Sequence, residues 1–203
     1  MCGQFEASIR AKQLLGELDE NRIVDPVEPD IVKPTLAAPI LIANPDHGKP
    51  EVAPMRFGLV PHWYTKSFRD WKATSFNARV EEVDDKPAFK GAFRYRRAIV
   101  PAEAFYEWSG PKNARTKWRI TRGDNDPLGL AAIWDEASCQ EGGVLSFAIL
   151  TRAATEPMAA IHDREPIALS RSLWADWINL RPVDLTTPAP LRLTHMDVST
   201  GLL

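Results

Sequence analysis

The chain has 203 residues, of which 44% are hydrophobic and 26% charged, with a formal net charge of −2. That size and mixture fit a single domain, residues 1–203, with a sizeable core, and the near-neutral balance argues against indiscriminate binding to nucleic acid. Two cysteines without clustered histidines cannot build a zinc site, the apolar runs are too short to span a membrane, and no signal peptide is recognisable, so a reducing cytoplasm is the expected setting.

Met1-Cys2-Gly3 opens the chain. An initiator Met before a small residue is usually trimmed, which leaves Cys2 with a free α-amine beside its thiol. The amine titrates at about 7.7 to 8.0 and the thiol at about 8.5, so a minority of each is nucleophilic at neutral pH. A 1,2-aminothiol attacks an aldehyde through nitrogen to give an imine and then through sulfur to close a thiazolidine ring, which an internal cysteine cannot do. The plain alternative is that position 2 holds a cysteine by accident.

Residues 3–7 read as a short strand, after which Ser8 caps a helix with Ala11, Leu14, Leu15 and Leu18 on one face. Recurring prolines across 25–61 exclude a long helix and leave short strands such as 39–43. Asn44-Pro45-Asp46-His47-Gly48 is a turn with His47 in solvent. Residues 55–63 form a strand that ends at Pro61, and 64–72 an aromatic and basic loop in which Trp63, Tyr64, Phe68 and Trp71 interleave with Lys66, Arg69 and Lys72. Rings that stack bases beside cations that meet phosphates suit single-stranded nucleic acid, and core aromatics pinning a loop give the same pattern. Residues 56–97 hold ten Lys or Arg against five Asp or Glu, a net of +5 that leaves −7 for the remainder. The asymmetry suggests one basic face on an acidic body.

Phe76-Asn77-Ala78-Arg79 is followed by an acidic turn and one short helix over 87–93. Residues 98–108 are apolar and strand-like. Glu107, between Tyr106 and Trp108, either faces water by alternation or sits in a pocket where burial suits it to proton transfer. Further strands at 117–121, 128–134 and 145–151, separated by Gly-containing turns, make an antiparallel meander. Cys139 lies in a polar loop and is assigned no role. Residues 155–162 read as a short helix delivering His162-Asp163-Arg164-Glu165, and Ser172 caps a last helix with Trp174, Trp177 and Leu180 on its core side, stopped by Pro182. The tail from 191 onward adds at most one strand. These elements give an α+β class: a curved, mainly antiparallel sheet with an open barrel-like core and a few short helices.

Taken in order, Met1-Cys2-Gly3, Phe57-Gly58-Leu59-Val60-Pro61-His62-Trp63, Asn77-Ala78-Arg79, Phe105-Tyr106-Glu107-Trp108 and Ile161-His162-Asp163-Arg164 resemble the SRAP (SOS response-associated peptidase) family. The resemblance implies covalent trapping of abasic sites in single-stranded DNA as a thiazolidine on the mature N-terminal cysteine, protecting the lesion during the DNA damage response. It implies Cys2 as nucleophile, Asn77 and Arg79 holding the sugar and its phosphate, Glu107 and His162 moving protons, and Arg164 contacting DNA. Arg69, Trp71 and Arg97 join the expected DNA face. No cofactor, metal or membrane is expected, and a monomer that associates with the nucleoid at damaged DNA is the expected state. Gln4 departs from the family's usual arginine, Phe57 from tryptophan, Ala104 from glycine and Glu165 from methionine. Two other readings compete: a Cys2 and His162 peptidase or autoprotease, with the lyase and peptidase classes that the family name suggests, and a non-catalytic module that binds single strands through the basic face.

Overall fold

A computed structural model describes residues 2–7, 31–44, 47–71, 75–111 and 113–196. The expected helix behind Ser8, Pro45 and Asp46 of the turn, Lys72 of the basic loop and the tail beyond residue 196 lie outside these residues. Among the described residues thirteen strands form two sheets. In the larger sheet β3 (Ala37–Ala43) pairs with β4 (Pro50–Phe57) and β6 (Arg97–Ala102), β6 with β9 (Leu128–Cys139), and β9 with β10 (Gly142–Ala153). A parallel pairing of β10 with β4, Ser146 opposite Arg56 and Phe147 opposite Phe57, closes the ring. The barrel expected to be open is therefore closed. Its edges carry β5 (Asn77–Arg79), β11 (Arg164–Pro166) and β12 (Ala168–Leu169). The smaller sheet runs in the order β13 (Leu191–Met196), β8 (Thr116–Arg122), β7 (Ala104–Ser109), β1 (Phe5–Glu6), β2 (Ile31–Val32).

The ring strands are apolar on both faces because both are covered. Successive residues of a strand point to opposite sides. Ala98, Val100, Ala132, Phe147 and Ile149 join one buried cluster with Cys2, Phe5, Phe57 and Phe105. Their neighbours Ile99, Ala131, Ile133, Ala148 and Leu150 join another with Trp174, Trp177 and Ile178. The first cluster is organised by Phe57, which stacks on Phe147 at 5.0 Å between centroids and meets Phe5 and Phe76 edge-on at 5.5 and 5.9 Å. The fully buried rings of Phe5, Phe57 and Phe147 each contribute roughly 1.5–3 kcal/mol through burial. The departure at Phe57 is thus a change of core packing.

The helices are shorter than the sequence suggests. The helix near residue 90 spans Lys90–Tyr95, and the expected 155–162 helix is only a 3₁₀ turn at Met158–Ala160 whose N-cap is Pro157. The last helix is a 3₁₀ turn at Arg171–Leu173 that leads into Trp174–Ile178. Trp174 and Trp177 face the core as expected, but Leu180 does not: it sits past the helix end with φ of 63° and is exposed.

Candidate active site

Cys2 is placed by two backbone ladders. Antiparallel pairing sets Phe5 opposite Phe105 and Glu6 opposite Ala104, and the amide of Tyr106 donates to the Gln4 carbonyl at 2.9 Å. Continuing that register brings Gly3 opposite Glu107, so the N-terminal segment runs alongside the one acidic residue of β7. From the other side, Asn77 Nδ2 donates to the Cys2 carbonyl at 3.0 Å. Asn77 belongs to β5, which pairs in parallel with β10, Asn77 opposite Ile149 and Arg79 opposite Thr151. Two elements far apart in sequence thus clamp residue 2, whose side chain is 1% exposed.

Glu107 lies on the face of β7 that carries Phe105 and is 3% exposed. It turns toward the core, which removes the reading in which simple alternation leaves it in water. The pocket reading predicts this placement. Burial, and after it the Glu107 charge, push the Cys2 thiol far above the ordinary thiol range. A buried, neutral thiol beside a carboxylate is a poor first nucleophile.

Asn77 is 9% exposed and its Oδ1 has no hydrogen-bond partner among the described residues. A buried acceptor of this kind, next to Cys2, is suited to receive a donor from a bound molecule. His162 lies between the 3₁₀ turn and β11, half-buried. Its Nδ1 accepts from the Arg164 amide at 2.9 Å and lies 2.9 Å from Asp163 Oδ1. The first contact needs Nδ1 as an acceptor and the second needs Nδ1–H as a donor, so either placement of the ring proton has a partner.

Arg79 and Arg164 flank β10, one from β5 and the other from β11, where Arg164 pairs with Ala153. Trp71 is half-buried, meeting Tyr64 at 4.7 Å and Trp63 at 5.8 Å edge-on, and its Nε1 donates to Ser75 Oγ. Trp63 is 49% exposed and forms the outer lip of this aromatic shelf. Arg69 is exposed, with Arg69 and Arg56 each 6.0 Å from the Phe68 ring, beside a groove of about 430 Å³ lined by Thr35, Ala37, Arg56, Phe68, Arg69 and Val144.

Arg97 does not join this face. It points to the opposite side of β6 from Ala98, lies 4.4 Å from the Trp177 ring centroid and 5.3 Å from that of Phe93, and donates to the Phe93 and Arg181 carbonyls. Its guanidinium is committed to packing the helices. Gln4 is buried and so is not a surface substitute for arginine, and Ala104 is a buried ladder residue. Glu165 does not pair with its neighbour Arg164. It is 2% exposed and bonds Arg152 at 2.8 Å and the amide and hydroxyl of Thr155 at 3.1 Å. Glu165→Ala strands Arg152 in the core and is expected to cost about 3–5 kcal/mol, seen as a fall in Tm on the order of 10 °C.

Sequence reasoning missed His62-Asp135-Arg96. Asp135 is buried, accepts from the His62 amide at 3.0 Å, lies 3.1 Å from His62 Nδ1, and pairs with Arg96 at 3.0 Å. It anchors the loop that leads to the aromatic shelf. The only signal was an acid directly after the apolar run 128–134. Among the described residues no group of three or more His, Cys, Asp or Glu could hold a metal ion, and no helix is long and apolar enough to cross a membrane.

A family model described as SOS response associated peptidase (SRAP) matches residues 1–200. The abasic site processing protein YoqW of Bacillus subtilis is 30% identical over 148 residues, covering 71% of this chain and 65% of that protein. The abasic site processing protein YedK of Escherichia coli is 29% identical over 182 residues, covering 88% of this chain and 79% of that protein. A crystal structure of a Bordetella bronchiseptica protein superposes with a TM-score of 0.80 at 21% identity, covering 97% of this chain and 100% of that one. One from Bacteroides thetaiotaomicron gives 0.81 at 20%, covering 98% and 93%. These two likenesses concern the fold.

Proposed function

The chain belongs to the SOS response associated peptidase family, and from that premise we propose that it processes abasic sites in single-stranded DNA by forming a thiazolidine crosslink on Cys2. The observation that carries this reading is the clamping of Cys2 between Asn77 and the strand bearing Glu107. Relatives named abasic site processing proteins are 29–30% identical to the chain over 148 and 182 residues.

An abasic deoxyribose equilibrates with its open aldehyde. The Cys2 nitrogen adds to the aldehyde carbon, the resulting hydroxyl leaves as water after accepting a proton from Glu107 or His162, and the thiol adds across the C=N bond while its proton ends on nitrogen. Asn77 Oδ1 receives a sugar hydroxyl. Arg79 and Arg164 hold flanking phosphates, and Trp63 with Trp71 offers a shelf for neighbouring bases. Holding the amine, thiol and aldehyde together removes up to roughly 7–11 kcal/mol of barrier relative to free reactants.

The test mixes the protein, its free Cys2 verified by mass spectrometry, with single-stranded DNA carrying one abasic site. A band that survives boiling and denaturing electrophoresis, and that requires the abasic site, is expected. Absence of the band from verified protein sinks the reading.

A further inference from the structure

The two arginines assigned to DNA phosphates are already held by neighbouring carboxylates of one turn. Arg164 forms a bidentate pair with Glu81, Nη1 to Oε1 and Nη2 to Oε2, both at 2.8 Å. Arg79 Nη1 reaches Glu82 Oε1 at 3.4 Å, and Glu82 is shared with Lys86 at 3.4 Å. The Glu81 pair is the stronger of the two. Its geometry is the fork on fork arrangement by which guanidinium also grips a phosphate. The Arg164 side chain is 12% exposed whereas that of Glu81 is 48% exposed, so the arginine is the fixed partner and the glutamate faces solvent. Arg164 Nη2 is further tied to the Thr151 carbonyl at 2.8 Å, and Glu81 Oε1 lies 3.3 Å from the Ala153 amide.

Resting on the crosslinking function proposed above, we infer that Glu81 is a specificity residue: its carboxylate occupies the Arg164 fork as a stand-in for a DNA phosphate, and a strand must displace it to bind. Intact strands, held only by reversible contacts, bear this cost in full. Strands with an abasic site bear it once, because the covalent bond then holds them. The fork therefore favours retention at lesions over occupancy of undamaged DNA. The pair is present across the working range of pH, since Arg164 holds the Glu81 carboxyl down to about 2. Glu82 does the same for Arg79 more weakly, its charge being divided with Lys86.

The test measures binding of the full chain to a fluorescent undamaged oligothymidylate by anisotropy at several salt concentrations. Glu81→Gln keeps the shape and the acceptor for the Ala153 amide while removing the charge. It is expected to tighten binding about three- to ten-fold and to steepen the dependence of log affinity on log salt by about 0.7, the mark of one more phosphate contact. The gain is expected to disappear when Arg164→Gln is already present. Unchanged or weaker binding by Glu81→Gln overturns the inference, since a glutamate that merely orients Arg164 gives one of those results. An equal gain in the Arg164→Gln background overturns it too, because the effect is then general charge. A parallel arm with abasic DNA separates the two readings. Failure of the unsubstituted chain to crosslink removes the crosslinking function and leaves the fork measured on intact DNA. Crosslinking with no response to Glu81→Gln removes the fork alone.

Discussion

Cys2→Ala and Cys2→Ser are each expected to form no heat-stable adduct with abasic single-stranded DNA unless borohydride is present. The two substitutions divide the chemistry at its two nucleophiles. Both retain an N-terminal amine after trimming, so both reach the imine, and only sulfur converts that reversible bond into a ring. The effect is all-or-none on the gel because no oxygen or methyl group at position 2 replaces the thiol at the second step. The loss cannot be put down to unfolding: removing one buried sulfur costs on the order of 1 kcal/mol, and Cys2 is held through its carbonyl by Asn77, a bond that uses no side-chain atom of residue 2. Cys139 is a built-in control, since it is half-buried beside the Tyr64 carbonyl and lacks an adjacent amine. Denaturing electrophoresis with and without borohydride, followed by mass spectrometry of the adduct, reads all three cases. A heat-stable adduct on Cys2→Ala in the absence of borohydride would place the nucleophile elsewhere.

Much of this arrangement was legible in the chain, and what escaped has a physical reason. The strands at 117–121, 128–134 and 145–151 were readable because alternation and turn glycines are local signals, and they appear as Thr116–Arg122, Leu128–Cys139 and Gly142–Ala153. Ring closure was not readable, because it depends on the parallel pairing of Phe57 with Phe147, and nothing local in either segment names its partner. Leu180 was placed on a core face by helical spacing, yet the helix ends at Ile178 and releases it to solvent. Within the site, Cys2 and Glu107 were legible as chemistry, but their proximity comes from the register of β1 on β7. Arg97 was grouped with the DNA face by charge along the sequence. A basic run on a strand, however, divides between two faces, and Arg97 falls on the side of Trp177. Charge counting cannot see that division.

Glu107→Gln is expected to slow crosslink formation by roughly 10²–10⁴-fold, the range typical for loss of a positioned proton carrier. Two consequences of this substitution oppose each other. Glutamine cannot deliver or take a proton, which slows ring opening and loss of water. It also removes the negative charge that helps raise the Cys2 thiol, which frees thiolate and speeds ring closure. The first effect prevails if imine formation limits the rate, since the thiol acts only after the imine has formed. Glu107 sits in the middle of β7, opposite Trp118, on a strand held on both sides, so an isosteric amide leaves the backbone in place. Single-turnover rates with a pre-formed abasic strand, measured from pH 6 to pH 9, distinguish the cases. A slow variant that still accumulates borohydride-trappable imine locates Glu107 after imine formation, whereas a slow variant without imine locates it before. An unchanged or faster rate would show that Glu107 acts only through its charge on the thiol and would pass proton transfer to His162, whose Nδ1 has a partner with or without its proton.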